Sequence, residues 1–107
     1  MKRGDVVIAV TKGDYGKVRP AVVVQSDIYA DHTSVTVAMM TTTLTELDDI
    51  RITIEPDPTN GLRDTSQVLG DRVQTVRRDR IREVIGELSP QQLTAVNRAL
   101  ALFLGFA

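Results

Sequence analysis

The chain has 107 residues, 42% of them hydrophobic and 25% charged, with a formal net charge of −1 and no cysteine. That length supports one domain with a modest core, and the composition is that of an ordinary soluble globular chain. Near-neutral charge excludes a globally basic nucleic-acid binder, so any such contact has to come from a local patch; the absence of cysteine excludes disulfide scaffolds, thiolate zinc sites and cysteine nucleophiles.

The opening MKRGDVVIAV carries a basic pair and only a short apolar run with Asp5 inside it, so it reads as a first strand, Asp5 to Val10, and not as a signal peptide. No stretch approaches the roughly 18 apolar residues of a membrane span. A cytosolic protein with no membrane partner is expected. TKGDYG, Thr11 to Gly16, is a loop with two glycines. A second strand is predicted over Arg19 to Gln25 and a third over Ser34 to Thr42, the latter with Val35, Val37 and Met39 alternating. TELDD turns into a fourth strand, Ile50 to Ile54, where isoleucines alternate with Arg51 and Thr53. Two prolines and an Asn-Gly pair make Glu55 to Asp64 a loop. Strand returns from Gln67 to Val76, with Val68, Leu69, Val73 and Val76 as core candidates, then one helical turn over Arg77 to Arg80 and a last strand over Arg82 to Leu88. Valine and threonine dominate throughout, as a β-rich fold requires.

The period then changes. Ser89 is a good N-cap, Pro90 suits the first helical position, and Gln92 completes a Ser-x-x-Gln capping box. Leu93, Val96, Leu100 and Phe103 fall on one face of a helix over 90–104, widened by Ala99, Leu102 and Leu104. The expected fold is mainly β (α+β): a twisted sheet of five to seven strands, partly closed as a barrel, with one C-terminal helix packed on it.

Charge is unevenly spread. Glu46 to Asp57 holds five acids and one arginine, whereas Arg72 to Arg82 holds five arginines against Asp79 alone. The basic run is either a solvated face with local ion pairs or a strip that contacts phosphates. No GxGxxG, Walker or HExxH motif occurs. The single histidine, His32, lies in a loop and cannot alone make a metal site or a His-His nuclease pair. Asp48 and Asp49 are turn residues rather than a catalytic dyad. What remains is arginine plus hydroxyls at strand ends. Pro20 has no N–H, so it belongs at a strand start or edge, and it biases Arg19 toward extended backbone. A guanidinium fork suits a phosphate. Thr41, Thr42 and Thr43 offer hydroxyls at the end of the third strand, or simply reflect β propensity.

RGDVV at Arg3 to Val7, RPAVVVQSD at Arg19 to Asp27, the Thr-Thr after the third strand, GLRDTSQVLGDRVQTV at Gly61 to Val76 and GELSPQQLTAVNRAL at Gly86 to Leu100 occur in one register. In these the chain resembles the MazF/PemK (Kid) toxin endoribonucleases of type II toxin–antitoxin systems, over nearly its whole length. The resemblance implies an SH3-like barrel with a C-terminal helix, a homodimer, and metal-independent, cofactor-free cleavage of single-stranded RNA at short sequences, leaving a 2′,3′-cyclic phosphate and a 5′-hydroxyl. It further implies a cognate antitoxin with an acidic, initially disordered segment. Arg19 and Thr41 match the catalytic pair, and Asp71 the acidic position of the later block. Arg19 and Thr41 would stabilise charge on the non-bridging oxygens. A guanidinium holds its protons too firmly to be the general base, which leaves Asp71 or Asp14 as acceptors. Asp14, Tyr15, Lys17, Thr42, Arg72, Arg77 and Arg78 are the expected RNA-binding residues, with Tyr15 able to stack a base. The chain departs from the pattern in its short first loop and in Leu69, where some members carry arginine.

Two other readings compete. A gyrase poison of the CcdB type shares the fold and acts through its helix end; here the chain finishes LFLGFA, which also reads as a helix end packing on a dimer interface. An inactive relative that only binds is the other.

Overall fold

The computed structural model describes residues 1–11, 17–46 and 49–106. Six strands, β1 (Asp5–Val10), β2 (Val18–Val23), β3 (Ser34–Thr41), β4 (Arg51–Ile54), β5 (Ser66–Arg77) and β6 (Ile81–Glu87), precede one long helix, α1 (Pro90–Leu104). Single 3₁₀ turns lie at Asp27–Tyr29, which the sequence reading did not anticipate, and at Arg78–Arg80. Every strand pairing is antiparallel, in the order β4-β5-β3-β2-β1-β6. The count falls inside the expected five to seven. The expected partial closure as a barrel is not made by strand pairing: among the described residues β4 and β6 are the two ends of an open sheet.

Alternation along the central strands buries both faces. Val6, Val22, Ala38, Met40 and Val68 join Val96 and Leu100 of α1 on one face. Their neighbours Val7, Ala21, Val23, Val37 and Met39 form a second cluster on the other, with Ile81 of β6 packed against it. Continuous apolar runs such as Ala21–Val24 follow from this two-sided burial.

β5 is bent. Met40 pairs with Val68 but Ala38 pairs with Val73, so one β3 residue, Met39, faces a four-residue excursion, Leu69 to Arg72. Such a bulge bends a strand and re-aims side chains. The Gly70 N–H bonds to the Ile50 carbonyl at 2.7 Å, fastening the bend to the start of β4. Val73, a core candidate from sequence, is 37% exposed, at the edge of the α1 face beside Leu100 and Leu104.

The helix begins as predicted. Ser89 Oγ accepts from the Gln92 N–H at 3.1 Å, and Gln92 Oε1 accepts from the Ser89 N–H at 2.8 Å. Ser89→Ala removes the first bond and should cost about 1 kcal/mol, seen as a fall in Tm of about 4–8 °C. Gly105, at φ 83°, ends the helix with the Phe106 N–H bonded to the Ala101 carbonyl. Only Val96, Ala99 and Leu100 of α1 are fully buried. Leu102, Phe103 and Leu104, expected to face the core, are about half exposed. At the other end of the chain the carboxylates of Asp5 and Glu87 bond the Lys2 ammonium at 2.8 and 2.6 Å and hold it above its ordinary pKa.

Candidate functional site

Pro20 determines where the site lies. The Val24 N–H donates to Thr36 of β3, so even-numbered residues of β2 turn their backbone toward β3. Pro20 has the same parity and no proton to give. The β2–β3 ladder accordingly ends at Ala21↔Met39, while Val18, Arg19 and Pro20 stay paired to β1. β2 and β3 thus separate at this end. Continuing their register sets Arg19 opposite Thr41, on the face that carries Ala21 and Met39. The sequence reading had Pro20 at a strand start or edge; it sits inside β2, on the side where one partner has stopped.

A cavity of about 320 Å³ opens in the fork, lined by Arg19, Thr41 and Thr43, by Leu69 and Arg72 of the β5 bend, and by Gln74 just beyond it. Arg51 of β4 reaches it too. Three guanidiniums therefore line one small space, with no carboxylate among its described lining residues, an arrangement that attracts an anion such as phosphate. Thr41 Oγ1 accepts from the Thr43 N–H at 3.1 Å, leaving its own proton to be donated. Gln67 holds the loop after β3 in place: its side chain accepts from the Thr45 N–H at 3.2 Å and donates to the Thr45 carbonyl and Thr53 Oγ1 at 2.9 and 3.2 Å. A second cavity, also about 320 Å³, shares Arg19, Thr41 and Thr43 and adds Lys17, Pro20 and Thr42.

The structure thus brings Arg19, Thr41, Arg72, Lys17 and Thr42 to one place. Asp71 stands in the bend beside Arg72, half buried, with Oδ1 buried and lacking a hydrogen-bond partner among the described residues; it lines neither cavity. Arg77 and Arg78 lie elsewhere. Arg77 pairs with Ser34 at the far end of β3, seven residues from Thr41 and so about 23 Å away along the strand. It forms an exposed ion pair with Asp79 at 2.6 Å. Arg78 bonds the carbonyls of Ala30 and His32 and anchors that loop. The basic run is thus divided, with Arg72 alone at the cavity. Asp14 and Tyr15 lie outside the described residues. The sequence reading missed Arg51, Gln74 and Met39; alternation in Ile50–Ile54 marked Arg51 only as facing away from the isoleucines. Among the described residues no group of three or more His, Cys, Asp or Glu is placed to hold a metal ion, and no helix is long and apolar enough to cross a membrane.

Comparison with known proteins bears on this arrangement. The family model described as "PemK-like, MazF-like toxin of type II toxin-antitoxin system" matches residues 2–104. The chain belongs to this toxin family. A relative from Mycolicibacterium smegmatis (strain ATCC 700084 / mc(2)155), named "Probable endoribonuclease MazF", is 40% identical over 108 residues, covering 100% of this chain and 99% of the relative. The solved structure of Mycobacterium tuberculosis toxin MazF-mt6 superposes with a TM-score of 0.81 at 28% identity, over 94% of this chain and 96% of that one. An endoribonuclease in complex with its cognate antitoxin, from mycobacterial species, superposes at 0.83 over 100% and 97% with 24% identity, a likeness of fold. As a member of this family the chain has a six-stranded sheet with one C-terminal helix, and the fork between β2 and β3 sits where the RPAVVV motif enters that sheet.

Proposed function

We propose that the chain is an endoribonuclease toxin that cuts single-stranded RNA without a metal and is held in check by a cognate antitoxin. The observation that carries this reading is that Arg19 and Thr41 line one cavity across the fork, together with Arg51 and Arg72. The ribose 2′-oxygen attacks the adjacent phosphorus and loses its proton; the P–O5′ bond breaks and the 5′-oxygen gains one. The products are a 2′,3′-cyclic phosphate and a 5′-hydroxyl. Arg19 and the Thr41 hydroxyl donate to the non-bridging oxygens as charge builds there. Arg51 and Arg72 hold flanking phosphates, and Lys17 and Thr42 extend the contact along the strand. Asp71 reaches the 2′-hydroxyl only if its side chain swings into the cavity, so Asp14 stays beside it as proton acceptor. Tyr15 stacks a base of the bound strand. Arg77 and Arg78 take no part in the RNA contact, since one is ion-paired and the other secures a loop.

The same cationic cavity suits an acidic antitoxin segment. Leu102, Phe103, Leu104 and Phe106 leave an apolar surface, Phe106 being 82% exposed, and a second copy of the chain is the partner that would cover it. The cytoplasm, where its RNA is made, is the compartment in which it would act.

The test is to incubate the purified chain with a long single-stranded RNA in excess chelator. Discrete cuts ending in a cyclic phosphate are expected. An intact RNA overturns the reading and favours a chain that only binds; DNA gyrase trapped on DNA by the same preparation would favour the gyrase-poison alternative.

A further inference from the structure

The groove does not end at the fork. Val18, Pro20 and Thr42 line the second cavity on one side and, on the other, a third of about 450 Å³. Along β2, Arg19 points to one face of the sheet while Val18 and Pro20 point to the other. The three cavities therefore wrap around the start of the strand. The third is of different character. Its body is apolar, made by Ile8, the Pro20 ring, Leu62 and Ile85, and its charged lining residues are Arg63, Asp64 and Glu83. Its size lies within the range of small-ligand sites.

We propose that this third cavity is a base-recognition subsite that takes the nucleobase next to the scissile phosphate and selects guanine; the proposal rests on the endoribonuclease reading above. Single-stranded RNA is read by splaying bases out onto apolar surfaces and bonding their Watson–Crick edges. Guanine presents one acceptor, O6, beside two donors, N1–H and N2–H. Arg63 supplies donors, and the carboxylates of Asp64 and Glu83 are acceptors only. Carboxylates beside an RNA backbone repel its phosphates. They contribute where a ribose brings its 2′-hydroxyl or a base its N–H groups to them, and only the second depends on which base is bound. Uracil and adenine each lack the paired donors and leave an acidic acceptor facing a base oxygen or ring nitrogen. Discrimination of this kind works through the penalty on the wrong base as much as through the bond to the right one. Continuity with the cavity of Arg19 and Thr41, through Thr42 next in sequence to Thr41, favours a neighbouring nucleotide over an unrelated ligand.

The test is to cut a random-sequence single-stranded RNA pool and sequence the ends, comparing wild type with Glu83→Gln, Asp64→Asn and Arg63→Ala. All three residues are exposed, and thermal unfolding confirms that each variant folds. Wild type is expected to require guanine at one position flanking the cut. At least one carboxamide variant should relax that position by roughly tenfold or more, with the other positions unchanged. Arg63→Ala should relax it in the same direction. An unchanged word in all three variants overturns the subsite. So does a loss spread evenly over every position, and so does an unchanged word accompanied by altered binding of a synthetic acidic peptide, which would assign the cavity to a protein partner. A wild-type chain that cuts nothing removes the endoribonuclease reading itself, whereas wild-type cutting with an unaltered word removes the subsite alone.

Discussion

Arg19→Ala should cut single-stranded RNA about 10²–10³-fold more slowly than wild type, the cost of deleting one preorganised donor to a developing oxyanion. The loss should fall on kcat, because the charge that Arg19 meets grows as the 2′-oxygen closes on phosphorus and is smaller in the bound ground state. Arg19→Lys restores a point charge without the planar fork and should recover only part of the rate. Arg51→Ala gives the contrast. Arg51 enters the same cavity from β4, and as a holder of a flanking phosphate its removal should raise KM with a smaller effect on kcat. Its loss should also flatten the salt dependence of RNA binding, since each phosphate contact on a single strand adds a slope of roughly 0.7. Thr41→Val tests the partner across the fork: if Arg19 and Thr41 serve one transition state, the double variant should be little slower than Arg19→Ala alone. Thermal unfolding is the control, because Arg19 lies at the open end of the fork and not within either apolar cluster. A variant that folds normally and cuts at the wild-type rate would remove Arg19 from the chemistry.

The parts of this site that were legible in the sequence are those governed by backbone chemistry. Pro20 announces an interrupted ladder, and extended backbone at residue 19 follows from it. The capping box from Ser89 to Gln92 announces the helix start to the residue. What was not legible depends on strand geometry. The bend from Leu69 to Arg72 holds Gly70 and Asp71, both disfavoured in strands, but those two residues do not give its extent, which only the shifted pairing of β3 with β5 exposes. That bend is what brings Arg72 to the cavity. Charge runs mislead for the same reason. Five arginines between 72 and 82 look like one strip, yet a strand, a 3₁₀ turn and an edge strand carry them in different directions. Arg51 was hidden by the opposite effect: alternation showed that it avoids the core but not which neighbour it meets. Phe103 satisfied the helical period and still lies exposed, because periodicity gives a face and not the extent of the surface it packs on.

Gly61→Ala should destabilise the fold by roughly 2–5 kcal/mol from left-handed strain and forced overpacking together. Gly61 sits at φ 71°, and a Cβ there would run into the Ile85 carbonyl, whose carbon would lie only 2.8 Å away. Backbone cannot yield as a flexible side chain can. The neighbouring residue explains why the loop comes so close. Asn60 is fully buried; its Oδ1 accepts from the N–H groups of Asp57 and Leu62 at 3.2 and 3.0 Å, and its Nδ2 donates to the Glu55 carbonyl at 2.8 Å. The Glu87 N–H bonds Thr59 at 3.1 Å, fixing the loop against β6. Leu62 then packs on the core beneath α1 while also forming a wall of the third cavity. The Asn-Gly pair thus joins stability to the groove, and the variant should lose both a Tm of ten degrees or more and base preference in whatever fraction stays folded. Gly105→Ala is the control. Its φ of 83° is as left-handed, but nothing lies within 4 Å of the added methyl, so only the conformational cost of about 1–2 kcal/mol applies. Equal losses in the two variants would mean that the approach of residue 61 to β6 is looser than these contacts require, and that the loop is free to move away from Ile85.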